Sequence, residues 1–319
     1  MIRSAAQRIW RKLYWHRYDQ NVGRRIGKNE RLLYFGDSLG DNLLCTIVAR
    51  KLVERDGGSI SILTPFPELF ENHPAVSKTH SFGWGDLESL RRLGREVIHP
   101  NYNPRTNDPD RDTPPTKHII AEMCSSAGLT GSVTLKSDIS LTADERGVGG
   151  LVDRQVIIMS SSAGARIPMR NKDWLHERYE DVVEQTRDRF NFIQIGTTLD
   201  PPIRHARDLR GQTDLRQGAA ILGNSLAFVG QVGFLMHLAR AVDCRSVIVY
   251  GGRERPDESG YTCNENLFST PPCSPCWQRN NCDFDRICLD AIRVDDVVRA
   301  LDRTAARHGE PLRVDTVEI

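Results

Sequence analysis

Four cysteines, Cys273, Cys276, Cys282 and Cys288, lie within one short stretch and make up half of the eight in the chain. Cys273-Ser274-Pro275-Cys276 is a C-x2-C knuckle, and two further thiolates complete a possible tetrahedral four-sulfur site. Pro271, Pro272 and Pro275 suit the tight backbone of such a knuckle. Four cysteine ligands leave no open coordination position, so the expected role is structural, with zinc or iron as the ion. Unlinked thiols or two redox-sensitive disulfides are the alternatives. A second group is Ser38-Leu39-Gly40-Asp41, where the aspartate is either a helix cap or a general base facing a cleft. A third is Ser160-Ser161-Ser162-Ala163-Gly164, followed by Arg166, Arg170 and Lys172. Exposed backbone donors at Ser161 and Ser162 with a nearby cation could neutralise a diphosphate; a solvated basic loop is the bland alternative. The fourth runs from Gly230 to His237 at a strand end and a helix start, where the two glycines, Gly230 and Gly233, suit a phosphate at a helix terminus. A tight turn with a packed histidine explains the same residues.

These groups need strand ends and helix starts to position them. Leu32–Phe35 reads as a strand, closed by the Gly36–Asp41 loop and followed by a helix carrying Leu43, Leu44, Ile47, Val48 and Leu52. Ser59–Leu63, Val76–Phe82 and Glu96–His99 read as strands, residues 101–115 as a loop and Lys117–Ala127 as a helix. Residues 129–154 carry little periodicity, and a domain boundary is expected there. Alternation resumes with strands at Gln155–Met159, Phe192–Ile195, Leu226–Val229 and Ser246–Tyr250. Helices are expected at Trp174–Phe190, Gln217–Leu222, Phe234–Val242 and Val294–His308. Strands alternating with helices imply parallel sheets joined by right-handed crossovers. Ligands then bind beyond the carboxyl ends of the strands, where Gly36, Gly196, Gly230 and Gly251 are expected. Three segments result: 1–30, 31–150 and 151–319, the last with a cysteine loop at 260–290.

The 319-residue chain has a formal net charge of +1, which argues against a general nucleic-acid binder. Residues 1–31 differ, with nine Lys/Arg against Asp19 and Glu30. Ile2 to Tyr18 reads as a helix. Ile2, Ala6, Ile9 and Leu13 share one side with Trp10, Tyr14 and Trp15 close by, and Arg3, Arg8, Arg11, Lys12 and Arg17 fill much of the remainder. That makeup suits an anionic membrane surface, or an arm packed on the body or on a second subunit. No apolar run is long enough to span a bilayer and no secretory signal is recognisable, so a location in the cytoplasm, free or peripheral on the inner face of the cytoplasmic membrane, is expected. Structural disulfides are rare there, which favours metal for the clustered cysteines.

Taken together, these elements resemble glycosyltransferase family 9, the bacterial heptosyltransferases, over about residues 31–302. The early Gly-Asp signature matches Ser38-Leu39-Gly40-Asp41-Asn42-Leu43-Leu44-Cys45-Thr46. The Lys-x-Trp element matches Lys172-Asp173-Trp174, and the late Met-His element matches Phe234-Leu235-Met236-His237-Leu238-Ala239-Arg240-Ala241. The chain departs from the pattern at Gln231-Val232-Gly233, where the family carries Asp-Ser-Gly or Asp-Thr-Gly. Some members also carry a cysteine cluster near the C-terminus.

The resemblance implies a GT-B fold, two Rossmann-like domains with parallel sheets facing across a cleft. It implies Asp41 as catalytic base and Lys172 on the donor diphosphate. The donor site would include Ser161, Ser162, Gly196, Gly233, Phe234, Met236 and His237, with no catalytic metal. The expected activity is inverting transfer of a sugar, by default heptose from ADP-heptose, to a hydroxyl of a glycan, lipid-linked or protein acceptor. A homo-oligomer is possible. A non-catalytic nucleotide-sugar scaffold and a nucleotide-sugar epimerase are the rival functions.

Overall fold

Leu32 and Leu33 are buried, and with Tyr34 they form β1 (Leu32–Tyr34), an inner strand of a parallel sheet. The computed structural model describes residues 5–319 apart from 84 and 105, with side chains from residue 12 onward. β2 (Ile60–Leu63), β3 (Val76–His80) and β4 (Val97–Ile98) complete this sheet in the order β3-β2-β1-β4. α2 (Leu39–Asp56) crosses from β1 to β2 and buries Leu43, Leu44, Ile47, Val48 and Leu52, as their spacing requires. α3 (Asp86–Arg92) lies between β3 and β4, and α4 (Ile119–Ser126) follows the loop at 101–115.

β5 (Ser132–Thr134) and α5 (Ala143–Gly147) lead to a second, six-stranded parallel sheet. Its strands are β6 (Gln155–Ile158), β7 (Asn191–Gln194), β8 (Arg207–Asp208), β9 (Ala227–Gln231), β10 (Ser246–Gly251) and β11 (Glu265–Phe268). Their order is β11-β10-β9-β6-β7-β8. The connecting helices are α6 (His176–Thr186), α7 (Leu215–Gly223), α8 (Phe234–Ala241), α9 (Pro256–Ser259), α10 (Ile287–Asp290) and α11 (Val294–Ala306). Successive residues of β6 face different cores. Val156 and Ile158 pack with Val182, Val183, Val297 and Leu301 of α6 and α11, while Ile157 joins Ala219, Leu222 and Met236 of α7 and α8. A strand covered by helices on both faces reads as a continuous apolar run, which is why Gln155–Met159 was legible. The last strand, β12 (Thr316–Glu318), returns to pair antiparallel with β5.

α1 (Ala5–Arg25) runs seven residues further than its apolar pattern indicated. Tertiary contacts extend it. Val22 and Ile26 pack with Leu32, Leu63 and Leu90, each burial contributing roughly 1.5–3 kcal/mol. Tyr18 donates to Asp86 (2.8 Å), Arg25 pairs with the same carboxylate, and Arg92 lies 4.4 Å over the Trp15 ring. The carboxyl half of α1 is therefore docked on α3, while Leu13 and Tyr14 stay exposed. Ile2, Arg3 and the side chains of Ala6, Arg8, Ile9, Trp10 and Arg11 lie outside the described residues. No helix among the described residues is long and apolar enough to cross a membrane.

Candidate functional site

The loop after β1 turns at Gly36, whose φ of 119° favours glycine. Asn42 holds the turn: its amide donates to the carbonyls of Gly36 (3.1 Å) and Ser38 (2.8 Å) and accepts from Thr64 Oγ1 (2.8 Å). Ser38 occupies the N-cap position of α2, and Asp41 lies within the first turn. Asp41 is thus no cap. Its Oδ1 accepts from Tyr102 Oη at 3.1 Å. Burial raises its pKa, opposed by hydrogen bonds from Ser38 and Tyr102 and by the charge of Lys172. Burial and the Asp41 charge hold Tyr102 firmly protonated, which fixes it as the donor.

The other half of the site comes from loops of the second sheet. α2 packs against α8, and a side chain on Gly40 would lie 3.8 Å from the Cα of Phe234. Gly233 caps α8 and has open space where a side chain would stand. His237 is buried, with Nδ1 2.6 Å from Tyr261 Oη. Burial pushes its pKa down to about 3, so the ring is neutral near pH 7. His118 of the first half donates from Nε2 to the Gly260 carbonyl (3.0 Å), next to Tyr261, and is likewise pushed down by burial, to about 4.

Lys172 is inside the site, and its ammonium lies 2.6 Å from Glu254 Oε1. Glu254 also accepts from Arg253 (2.9 Å) and Ser259 Oγ (2.7 Å). Burial opposes its ionisation, but Lys172 and Arg253 hold it at about 2. Arg253 reaches on to Asp112, which Arg279 also pairs with at 2.6 Å. Asp112 belongs to the loop that carries Tyr102, so this ionic chain joins both halves of the protein. A second cross-link pairs Arg166 with Asp37.

Several expected donor contacts are arranged differently. The Ser162 N–H donates to Asp173 Oδ1 (2.8 Å) and its hydroxyl to Oδ2 (3.1 Å), so it is committed within the protein and offers no free donor to a phosphate. The Ser161 hydroxyl donates to Asp200 (2.6 Å). Gly196 has φ 139°, and a Cβ there would strike Asp200 at 2.8 Å, so it shapes the loop that Asp200 closes. Met236 is fully buried beneath Tyr250, whose hydroxyl lies 3.3 Å from its sulfur; it belongs to the core and not to the ligand surface. Gly230 lies inside β9, one residue short of the strand end. Phe234 is partly buried against the first half. Tyr102, Asp112, Glu254 and Tyr261 were not singled out in the sequence. The charged Arg253-Glu254 pair directly after the Gly251-Gly252 strand end was the available signal.

All eight cysteines are free thiols. Cys273, Cys276, Cys282 and Cys288 line one cavity of about 170 Å³, together with Asn171, Arg253 and Arg286. Gly252 makes room for them, since a Cβ there would lie 2.7 Å from that of Cys288. Burial raises the thiol pKa of Cys276 and Cys288, and the neighbouring cysteines add to the shift. Among the described residues, no three His, Cys, Asp or Glu side chains stand close enough to enclose an ion as they are. The cysteine loop is strapped to both parts of the site. Asn171, next to Lys172, donates to the Asn281 carbonyl (2.8 Å), and Asp110 accepts from the Asn281 N–H (2.9 Å).

No protein-family model matches the chain, and no curated protein matches it. Solved structures do match. ADP-heptose lipopolysaccharide heptosyltransferase II of E. coli is 15% identical with a TM-score of 0.63, over 87% of this chain and 99% of that one. A family 9 glycosyl transferase from Veillonella parvula is 14% identical with a TM-score of 0.65, over 89% and 99%. TibC, an iron-containing dodecameric glycosyltransferase from enterotoxigenic E. coli, is 15% identical with a TM-score of 0.68, over 88% and 78%. TibC has also been solved with ADP-D-β-D-heptose. The chain has the GT-B fold of these glycosyltransferases, as the family resemblance implied.

Proposed function

We propose that this protein is an inverting glycosyltransferase that takes a sugar from a nucleotide sugar, with ADP-heptose as the donor its fold relatives favour. The observation that carries the reading is the convergence of Asp41 and Lys172. They come from opposite halves of the chain, and the lysine charge acts on the aspartate. One is a base and the other an anion partner. Asp41 removes the proton from an acceptor hydroxyl held in the cleft, on a glycan, lipid-linked or protein acceptor. The oxygen forms its bond to the anomeric carbon from the face opposite the nucleotide. The bond from that carbon to the phosphate oxygen breaks, and its electron pair leaves with the nucleoside diphosphate. Lys172 and the amino end of α8 stabilise the departing charge. Native mass spectrometry with a panel of nucleotide sugars tests this reading. Retention of one nucleotide sugar supports it, and retention of none contradicts it.

The four-cysteine loop fits a structural ion: four sulfur donors share one cavity, and Gly252 keeps it open. Cys273, Cys276, Cys282 and Cys288 would hold zinc or iron, which cross-links a loop with few apolar anchors and takes no part in the transfer. TibC, with the same fold, contains iron. TibC is also a dodecamer, and we carry self-association over to this chain on that basis. The exposed Leu13 and Tyr14, on a helix that also carries Lys12 and Arg17, support a peripheral contact with an anionic membrane surface.

A further inference from the structure

Glu254 is an unusual neighbour for a lysine that must receive a diphosphate. It is 4% exposed, and it lies three residues beyond the end of β10. Its two oxygens are held unequally. Oε2 accepts from Ser259, while Oε1 accepts from both Arg253 and Lys172. Losing the lysine would still leave each oxygen with a partner, so the carboxylate can release Lys172 without being stranded. Arg253 adjoins Glu254 in sequence and Ser259 lies five residues on, and both anchor it, whereas Lys172 reaches it on a flexible four-carbon stem. The carboxylate also acts electrostatically on Tyr102, the partner of Asp41, and on His237 of α8.

We propose that Glu254 is a positioning residue of the transfer site, which holds the Lys172 ammonium in place and competes with a nucleoside diphosphate for it. This rests on the transferase reading. The competition aims the lysine into the cleft and also weakens the hold on the leaving nucleoside diphosphate, which favours its release. A residue that only stabilised the fold would not change diphosphate affinity in this direction.

The test measures ADP affinity by calorimetry, and turnover, for wild type, Glu254→Gln and Glu254→Asp. Thermal melting confirms that each variant is folded. Glu254→Gln should bind ADP more tightly, on the order of tenfold, the usual scale for one close charge contact. Its kcat should fall, because Lys172 is no longer held, and KM should fall with it. Glu254→Asp keeps the charge but cannot span from Arg253 and Ser259 to Lys172, so it should shift affinity the same way by less. If the glutamine variant does not fold, the aspartate variant carries the test. In a Lys172→Met background the gain should vanish. Unchanged or weaker ADP binding by the folded variants, or a gain that persists without Lys172, overturns the assignment. A wild type that binds no nucleoside diphosphate overturns the transferase reading instead.

Discussion

Asp41 and Glu254 are partly and fully buried carboxylates, one from each half of the protein, and their ionisation is pushed in opposite directions. Burial raises Asp41, and its hydrogen-bond donors, Ser38 and Tyr102, are neutral. Glu254 is more deeply buried, but two cations in direct contact hold it at about 2. Desolvation acts on both, and the difference is who stands beside each. The contrast suits a division of labour. A carboxylate with no cation in contact gains proton affinity and can work as a base, while a compensated one keeps its charge and positions a partner.

The largest effect should come from removing the base. Asp41→Asn should slow transfer by about 10²–10⁴-fold while leaving nucleotide affinity intact, since a general base acts in the transition state. Steady-state rates and calorimetry on one preparation measure both. Near-normal turnover would erase the contrast with Glu254. Next is Lys172→Ala, which should weaken diphosphate binding by about 1.5–3 kcal/mol, the usual size of one charge-assisted contact. Unaltered nucleoside-diphosphate affinity would leave the lysine as a structural partner of Glu254 alone.

Tyr102→Phe sharpens the comparison through pH. The rate should rise with pH as Asp41 loses its proton, on a limb above the ordinary aspartate value of 3.8. The Tyr102 hydroxyl stabilises the ionised form, so its removal should move that limb to higher pH and lower the rate modestly at neutral pH. An unmoved limb would show that the titrating group is not Asp41.

Much of this arrangement was legible because it sits where strands meet helices. Asp41, Lys172 and His237 each follow an apolar run that a buried parallel strand requires, and the three lie near enough for the Lys172 charge to act on both Asp41 and His237. The edge strands were not legible. β8 has two exposed residues and β11 ends at a half-exposed Phe268, so neither shows a period. α3 was hidden because its buried positions include Asp86 and Ser89, which are satisfied by α1 and carry no apolar signal. Tyr102 escaped notice in a loop rich in Pro, Asn and Asp. Its role depends on the hydrogen bond to Asp41, a contact between residues far apart in the chain. Ser162 read as a free donor because only the fold shows Asp173 taking its N–H.

Two smaller effects concern the periphery. Elemental analysis of protein purified without added metal should find about one equivalent of zinc or iron, and serine at any one of the four clustered cysteines should reduce it. Metal-free protein of full activity would separate the cysteine loop from the site it straps. In liposome co-sedimentation, full-length protein should bind anionic vesicles better than a chain starting at Lys28. Equal binding would assign α1 to packing on α3 alone.

The most direct measurement follows a retained nucleotide sugar through incubation with the wild-type protein and candidate acceptors, by mass spectrometry. The account predicts release of the nucleoside diphosphate, with the sugar recovered on an acceptor or on water. A donor returned intact with every acceptor would contradict it in favour of a binding scaffold, and recovery of an epimerised nucleotide sugar would contradict it in favour of an epimerase.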